Sequence, residues 1–145
     1  MMAPEHLAAL PNARCVVCGA ENPRGLQLRF SPDGPRAVTA PWTTSPEWEG
    51  FQGLIHGGII STVLDEAMSK AVAAMGWQAL TCELRVRLRR RVPPYESLQV
   101  RGWVAEKRRR KVLTEASLCD QGGVERAHAW GAFLVLCGGQ APRQP

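Results

Sequence analysis

Residues 53–66 read GLIHGGIISTVLDE, and this stretch carries most of the information in the chain. Apolar residues recur with helical spacing through it and beyond it, and Gly76 follows where such a helix would stop. The pattern predicts a helix over about residues 57–76, with Gly57 and Gly58 at its start. Because the opposite side of this helix is also fairly apolar, we expect other elements to wrap around it.

Segments typical of β-strands flank the helix on both sides. A strand is predicted at residues 26–30 and its partner at 36–41, with a loop over 42–53. Four further strands are predicted after the helix, and these are 84–89, 98–105, 112–119 and 124–136. The predicted architecture is α+β, with an antiparallel sheet of five to six strands against one long central helix.

Length and composition favour one domain. At 145 residues and 45% hydrophobic content, the chain suits a single domain, residues 1–145, with a real core. Residues 1–25 are expected to be an irregular lead-in and 140–145 a frayed tail. Five cysteines without a signal-peptide pattern predict a reduced, cytoplasmic protein with no membrane span. The net charge of +5 favours an anionic partner without identifying it.

The start of the helix offers hydrogen-bond donors to a carbonyl oxygen. The first N–H groups of a helix have no intrahelical partners and lie at the positive end of its dipole. Gly57 and Gly58 lack side chains, so a substrate carbonyl can approach their amides closely, and they are the candidate oxyanion donors. A tight turn before a packed helix is the alternative. His56 either contacts the substrate or water, or fixes the loop through hydrogen bonds of its ring.

Asp65 is the candidate base or nucleophile. It lies seven residues after Gly58, which is about 10 Å along the helix. Hydrogen-bond reach is about 3 Å, so one helix cannot bring both groups to the same carbonyl. The spacing therefore predicts two sites per dimer, each combining Gly58 of one protomer with Asp65 of the other. The alternative is a structural carboxylate paired with an arginine. Glu66 points elsewhere, as a structural or solvent partner.

His56-Gly57-Gly58 followed by Asp65-Glu66 resembles the helix signature of hotdog-fold acyl-CoA thioesterases. That superfamily includes the 4-hydroxybenzoyl-CoA and phenylacetate-pathway thioesterases. Two other segments agree with the resemblance, which covers most of the chain: CVVCGAENPRGL at 15–26 and TCELRVR at 81–87. The resemblance implies a curled sheet around a central helix, a dimer formed through a continuous sheet, and often a tetramer.

The resemblance also implies further site residues. Thr81 corresponds to a strand Ser or Thr that positions the carboxylate or the water, although an ordinary strand threonine is the alternative. Many members carry Asn or Gln where this chain has Gly50, and Gln52 lies close enough in sequence to replace that contact. Three consecutive arginines near a strand end are candidates for contacts with the phosphates of coenzyme A, namely Arg89, Arg90 and Arg91.

No metal ion, other cofactor or nucleic acid is predicted as a partner. Cys15 and Cys18 form a C-x-x-C pair without a second ligand pair at zinc spacing, and His6 is the only histidine nearby in sequence. We interpret the two cysteines as packing and turn residues. The basic segments 85–91 and 107–111 lack interleaved stacking aromatics, so solvated surface charge is their default interpretation.

These features together predict a homo-oligomeric acyl-CoA thioesterase that hydrolyses an acyl-CoA, or a related acyl thioester, to free acid and coenzyme A. The alternative is a hotdog module that binds acyl-CoA without turnover, as a sensor or carrier. A hydratase on the same fold is weaker, because that chemistry usually calls for a histidine and an acid on opposite sides of the substrate, and His128 has no evident role.

Overall fold

The computed structural model describes residues 11–136 and contains one long helix and six strands. In chain order these elements are β1 (Ser31–Pro32), β2 (Ala37–Thr43), α1 (Gly57–Ala74), β3 (Ala79–Leu88), β4 (Ser97–Arg108), β5 (Lys111–Asp120) and β6 (Glu125–Val135). A short 3-10 helix, Pro46–Trp48, precedes α1. The expected tail at 140–145 and the first ten residues of the lead-in lie outside the described residues.

The six strands form one antiparallel sheet in the order β1-β2-β4-β5-β6-β3. Helix α1 packs across this sheet and contacts every strand from β2 to β6. The expected α+β hotdog architecture is therefore confirmed, with β3 at one edge of the sheet. None of the helices in the described part of the chain is long and apolar enough to span a membrane.

The buried face of α1 forms the centre of the core. Its apolar residues at helical spacing are fully buried, and they pack against large side chains of β5 and β6 such as Leu118 and Phe133. Burial of each large apolar side chain contributes about 1.5–3 kcal/mol. Gly76, with a φ of 85°, ends the helix as predicted, and its N–H donates to the Ala73 carbonyl at 2.8 Å.

The prediction of a strand at residues 26–30 is wrong. The N–H groups of Leu26 and Leu28 donate to the carbonyls of Val16 and Val17, so this segment pairs with the lead-in and not with the sheet. Gln27 has a φ of 59°, which interrupts the extended backbone that a strand requires. The apolar residues alternate in this segment because Leu28 packs into the core, although the segment itself is irregular.

The remaining boundaries differ from the predictions by a few residues. The loop predicted over 42–53 begins later, because β2 continues to Thr43. The first strand after the helix begins at Ala79, five residues before the predicted start at 84. Strands β4 and β5 extend one to three residues beyond their predicted ends. Strand β6 is one residue shorter than predicted at each end.

Gly102 of β4 lies where the sheet approaches α1 most tightly, and its replacement should destabilise the fold strongly. A Cβ at this position would lie 2.3 Å from the Ala67 carbonyl oxygen and 2.8 Å from the Met68 nitrogen. Helix backbone atoms cannot rotate away, so Gly102→Ala should lower the free energy of unfolding by about 3 kcal/mol, measured by urea denaturation.

The control for this prediction is Gly131→Ala in β6. A Cβ there would lie 2.9 Å from Oγ1 of Thr114 and 3.0 Å from Sδ of Met68, which are side-chain atoms that can move. The control should therefore lose less stability. Equal losses in the two variants would contradict the rigid contact between Gly102 and the helix.

Candidate active site

His56 is the N-cap of α1, and its ring engages one of the two predicted donors. Nδ1 of His56 accepts a hydrogen bond from the Gly58 N–H at 2.8 Å. The His56 N–H donates to the Trp48 carbonyl at 2.9 Å. An accepting Nδ1 carries no proton, so the neutral ring holds its hydrogen on Nε2. Two roles were considered for His56, contact with the substrate or water and fixing of the loop. The hydrogen bonds that His56 makes in the structure are of the second kind.

This cap makes the two glycines unequal. The Gly58 amide is engaged by His56, whereas the Gly57 amide has no acceptor within the described residues. A Cβ at position 57 would lie 2.8 Å from Cδ1 of Leu88, so a side chain there would crowd the space beside this amide. Of the two predicted donors, Gly57 is the one whose amide is open in the described part of the chain, and its oxyanion role stays a prediction.

Gly50 lies against His56, the N-cap of α1. A Cβ there would lie 3.0 Å from Cδ2 and 3.3 Å from Cα of His56, so a larger residue would crowd the cap. Gln52 lies in an exposed turn before the helix. In the described part of the chain Gln52 makes no hydrogen bond and does not line the cavity beside Gly57. Its contact with the substrate stays a prediction.

A cavity of about 260 Å³ opens beside Gly57. Its lining includes Leu88 at the end of β3 and the three arginines that follow, which are Arg89, Arg90 and Arg91. The amides of Arg89 and Arg90 both donate to the Arg126 carbonyl, which holds this segment in place. The structure thus brings the arginines to the same end of the helix as Gly57, although they are more than thirty residues apart in sequence.

Asp65 and Thr81 form the second half of the predicted site. Oγ1 of Thr81 donates to Oδ1 of Asp65 at 2.8 Å. Burial raises the pKa of Asp65, the Thr81 hydrogen bond opposes that rise, and the charge of Glu66 adds to it. A raised pKa makes the carboxylate a better proton acceptor. Asp65 takes part in no salt bridge among the described residues, and its side-chain partner there is Thr81.

A β-bulge directs Thr81 toward the helix. The pairing of β3 with β6 shifts by one residue between Thr81 and Glu83, which leaves Cys82 as the extra residue. Strict alternation would place Thr81 on the face of Arg85, which packs over Trp130 on the side of the sheet away from α1. The bulge reverses that orientation, so the Thr81 hydroxyl can reach Asp65.

Gly57 and Asp65 are separated within one protomer, as the spacing predicts. They are eight positions apart on the helix, about 12 Å along the axis. Gly57 lies against Leu88 at the end of β3, whereas Asp65 is bonded to Thr81 near the start of the same strand. Gly57 and Asp65 therefore lie toward opposite ends of β3 within the chain.

Glu66 faces Cys15 and Cys18, which precede the sheet in the chain. Its carboxylate accepts a hydrogen bond from Sγ of Cys18 at 3.0 Å and lies 3.6 Å from Sγ of Cys15. Burial, together with the Glu66 carboxylate, raises the pKa of the Cys18 thiol to about 12. This thiol is protonated at neutral pH and is no candidate nucleophile. His6 lies outside the described residues.

Comparison with known proteins identifies one sequence family. The profile of the thioesterase superfamily matches residues 52–127, slightly more than half of the chain. No curated protein matches the chain.

Solved structures share the fold at low sequence identity. A crystal structure of a thioesterase superfamily protein has a TM-score of 0.80 and 24% identity, with 84% of this chain and 60% of that protein covered. The chain thus spans three fifths of that protein's length. A hypothetical thioesterase from Streptococcus pneumoniae TIGR4, crystallised with coenzyme A, has a TM-score of 0.73 and 16% identity, with 79% and 88% covered. The E. coli PaaI protein from the phenylacetic acid degradation operon has a TM-score of 0.72 and 14% identity, with 77% and 80% covered.

The Streptococcus pneumoniae protein has also been crystallised with alanine in place of an aspartate and, separately, of a threonine. Those two positions are 16 residues apart in its chain. At these identities the likeness of the structures concerns the fold alone.

Proposed function

The chain belongs to the thioesterase superfamily, and we propose that its reaction is the hydrolysis of an acyl-CoA thioester to free acid and coenzyme A. The observation that carries this proposal is the pair of half-sites on α1. One is the open amide of Gly57 at the positive end of the helix, and the other is the half-buried Asp65 held by Thr81.

The two half-sites supply complementary chemistry. The thioester carbonyl oxygen accepts a hydrogen bond from the Gly57 amide, which strengthens as negative charge develops on that oxygen. Asp65 takes a proton from water, the water oxygen attacks the carbonyl carbon, and the carbon–sulfur bond breaks to release coenzyme A. Direct attack by Asp65, through a transient anhydride that water then hydrolyses, is the second form of this mechanism. In both, Thr81 holds the carboxylate in position.

We propose that a dimer joined through β3 completes each site. This strand is ten residues long, lies at the edge of the sheet and exposes 55%, 42% and 52% of three leucines, Leu80, Leu84 and Leu88. Unpaired strand edges and exposed apolar side chains favour association with another copy.

Antiparallel pairing of two β3 strands about a two-fold axis accounts for the separation of the half-sites. Such pairing puts the start of one strand beside the end of the other. The Asp65–Thr81 pair of one protomer then faces Gly57 and Leu88 of its partner. Each dimer would hold two complete sites, and a protein that hydrolyses substrate as a monomer would contradict this arrangement.

We further propose that the arginines at the cavity beside Gly57 contact coenzyme A. Guanidinium groups form charge-assisted hydrogen bonds with phosphate oxygens, and three of them follow directly after Leu88. The Streptococcus pneumoniae structure contains coenzyme A on a similar fold, which supports this substrate class. Asp65 and Thr81 are also 16 residues apart, as are the two residues replaced in that protein.

A free-thiol release assay over acyl-CoAs with short, long and aromatic acyl groups tests the proposed reaction. We expect turnover of at least one member of this panel. Measurable binding of acyl-CoA without release of thiol from any member would instead support the non-catalytic alternative, a sensor or carrier.

Replacing Thr81 by valine should move the acid limb of the pH profile of kcat/KM to higher pH. The Thr81 hydrogen bond holds the pKa of Asp65 below the level that burial alone would set. Its loss raises that pKa, so Asp65 stays protonated and inactive over a wider range. The control is Thr39→Val, because Thr39 donates to the Val100 carbonyl in the β2–β4 region. An unshifted limb in Thr81→Val would remove Thr81 from the positioning of Asp65.

A further inference from the structure

We propose that Cys15, Cys18 and Glu66 bind a thiophilic divalent cation, with zinc as the preferred ion, and thereby fasten residues 11–30 to helix α1. We name these residues the lead-in segment. The proposal is independent of thioester hydrolysis, since neither cysteine belongs to the half-sites described above.

Three potential ligand atoms converge although Glu66 is about fifty residues from the cysteines in sequence. The Sγ atoms and the Glu66 carboxylate all lie within 4.8 Å of one another. The Cys18 Sγ to Oε1 distance is 3.0 Å and the Cys15 Sγ to Oε2 distance is 3.6 Å. Ligand atoms of a tetrahedral zinc site lie about 3.5 Å apart, so small side-chain rotations would place all three around one ion.

The backbone turn around the cysteines presents both sulfur atoms to the helix. The Val17 N–H donates to Sγ of Cys15 at 3.4 Å, and Nδ2 of Asn12 donates to Sγ of Cys18 at 3.6 Å. Donors of this kind stabilise thiolate ligands and orient them. A Cβ at Gly19 would lie 2.4 Å from the Cys15 nitrogen, so only glycine permits the chain to fold back this closely.

A divalent ion would balance the charges of the cluster. Two thiolates and one carboxylate carry three negative charges, and the buried Lys70 places Nζ 3.8 Å from Oε1 of Glu66. A divalent cation together with Lys70 neutralises the cluster. Without the ion, the thiols of Cys15 and Cys18 both donate to the Glu66 carboxylate, and metal binding would release both thiol protons to solvent. Two sulfur ligands favour zinc over magnesium or calcium, and water would fill the fourth position.

An ion at this position would fix a segment that has few connections to the sheet. The backbone hydrogen bonds of Leu26 and Leu28 lead back to Val16 and Val17, within the same segment. In the described part of the chain its backbone joins the sheet through the two-residue strand β1 at its end, and the side chains of Val17 and Leu28 anchor it in the core. Because Glu66 belongs to α1, a shared ion would tie this irregular segment to the rigid centre of the fold.

Titration of the full-length chain with cobalt(II), with the thiols kept reduced, tests the proposal. We expect binding of one ion per chain with a thiolate-to-cobalt charge-transfer band and the intense visible bands of a tetrahedral site. Zinc added afterwards should displace the cobalt and abolish both. Absence of the charge-transfer band in the wild-type chain would overturn the proposal.

Variants locate the ion. Cys15→Ser and Cys18→Ser should each lose most of the charge-transfer intensity, and Glu66→Gln should weaken cobalt binding by about tenfold or more. Cys119→Ser is the matched control, because Cys119 lies in β5 and not in this cluster, and it should bind as the wild type does. Far-ultraviolet circular dichroism verifies that each variant is folded. Wild-type binding in a folded Cys15→Ser/Cys18→Ser double variant would overturn the proposal, whatever the outcome of the thiol-release assay.

Discussion

Asp65→Asn is expected to lower kcat by about a thousandfold while the protein stays folded. Asparagine can still accept the hydrogen bond from Thr81, but it cannot take a proton from water or attack a thioester. The measurement is the rate of thiol release under saturating acyl-CoA. KM should change little, because the carboxylate acts on the water or the carbonyl carbon and contributes little to binding the substrate.

The same substitution should leave stability at neutral pH unchanged or higher. Burial raises the pKa of Asp65 in the folded state, so the ionised form is disfavoured there relative to the unfolded chain. That cost is present above the folded pKa and disappears as the pH falls below the ordinary pKa of an aspartate. Asparagine removes it at neutral pH, and the two proteins should differ least in acid.

The control for this variant is Asp33→Asn. Asp33 is exposed and pairs with Arg101 at 2.6 Å on the surface, so its replacement should leave the rate unchanged. Near-normal turnover by a folded Asp65→Asn protein would remove Asp65 from the mechanism. A loss of folded structure would instead indicate that Asp65 has a structural role.

Mixing two inactive variants is expected to restore activity. Gly57→Val covers the open amide, because its Cβ would meet Leu88, and Asp65→Asn removes the base. In a heterodimer of the two, one site combines the intact Gly57 with the intact Asp65. Random pairing of equal amounts should recover about a quarter of the wild-type activity, since half of the dimers hold one intact site of two. Co-expression of the two chains followed by the thiol-release assay measures this recovery.

Each variant expressed alone provides the background rate. The exposed Leu88 side chain can move aside for valine, so Gly57→Val should fold and dimerise. If both halves of a site belonged to one protomer, the mixed sample would stay at the background. That result would contradict the shared site while leaving thioester hydrolysis itself open to the separate assay.

Local patterns predicted much of the architecture. The helix, its end at Gly76 and the last three strands follow from periodicity and turn residues, which depend on neighbours in the chain. The prediction of a strand at 26–30 was wrong because it, too, depended on local periodicity alone. Its alternation reflects burial of an irregular segment, and periodicity cannot distinguish that from pairing with a sheet.

The chemistry of the half-sites was predicted in part. Gly57 and Asp65 were evident because both lie on one helix, where spacing converts directly into distance. The difference between Gly57 and Gly58 was not, since it depends on the rotamer of His56. The bulge at Cys82 was likewise hidden, because a register shift requires the partner strand to be present.

The sequence by itself determined the central helix, the glycines at its start and a carboxylate too far along the same helix to share a carbonyl with them. Only the tertiary structure decided that Thr81 reaches Asp65, that three arginines meet Gly57 at one cavity, and that Glu66 closes on the C-x-x-C pair. The physical reason is that these contacts join residues far apart in the chain. Their geometry depends on how the sheet, the bulge and the lead-in segment pack together, which no local spacing encodes.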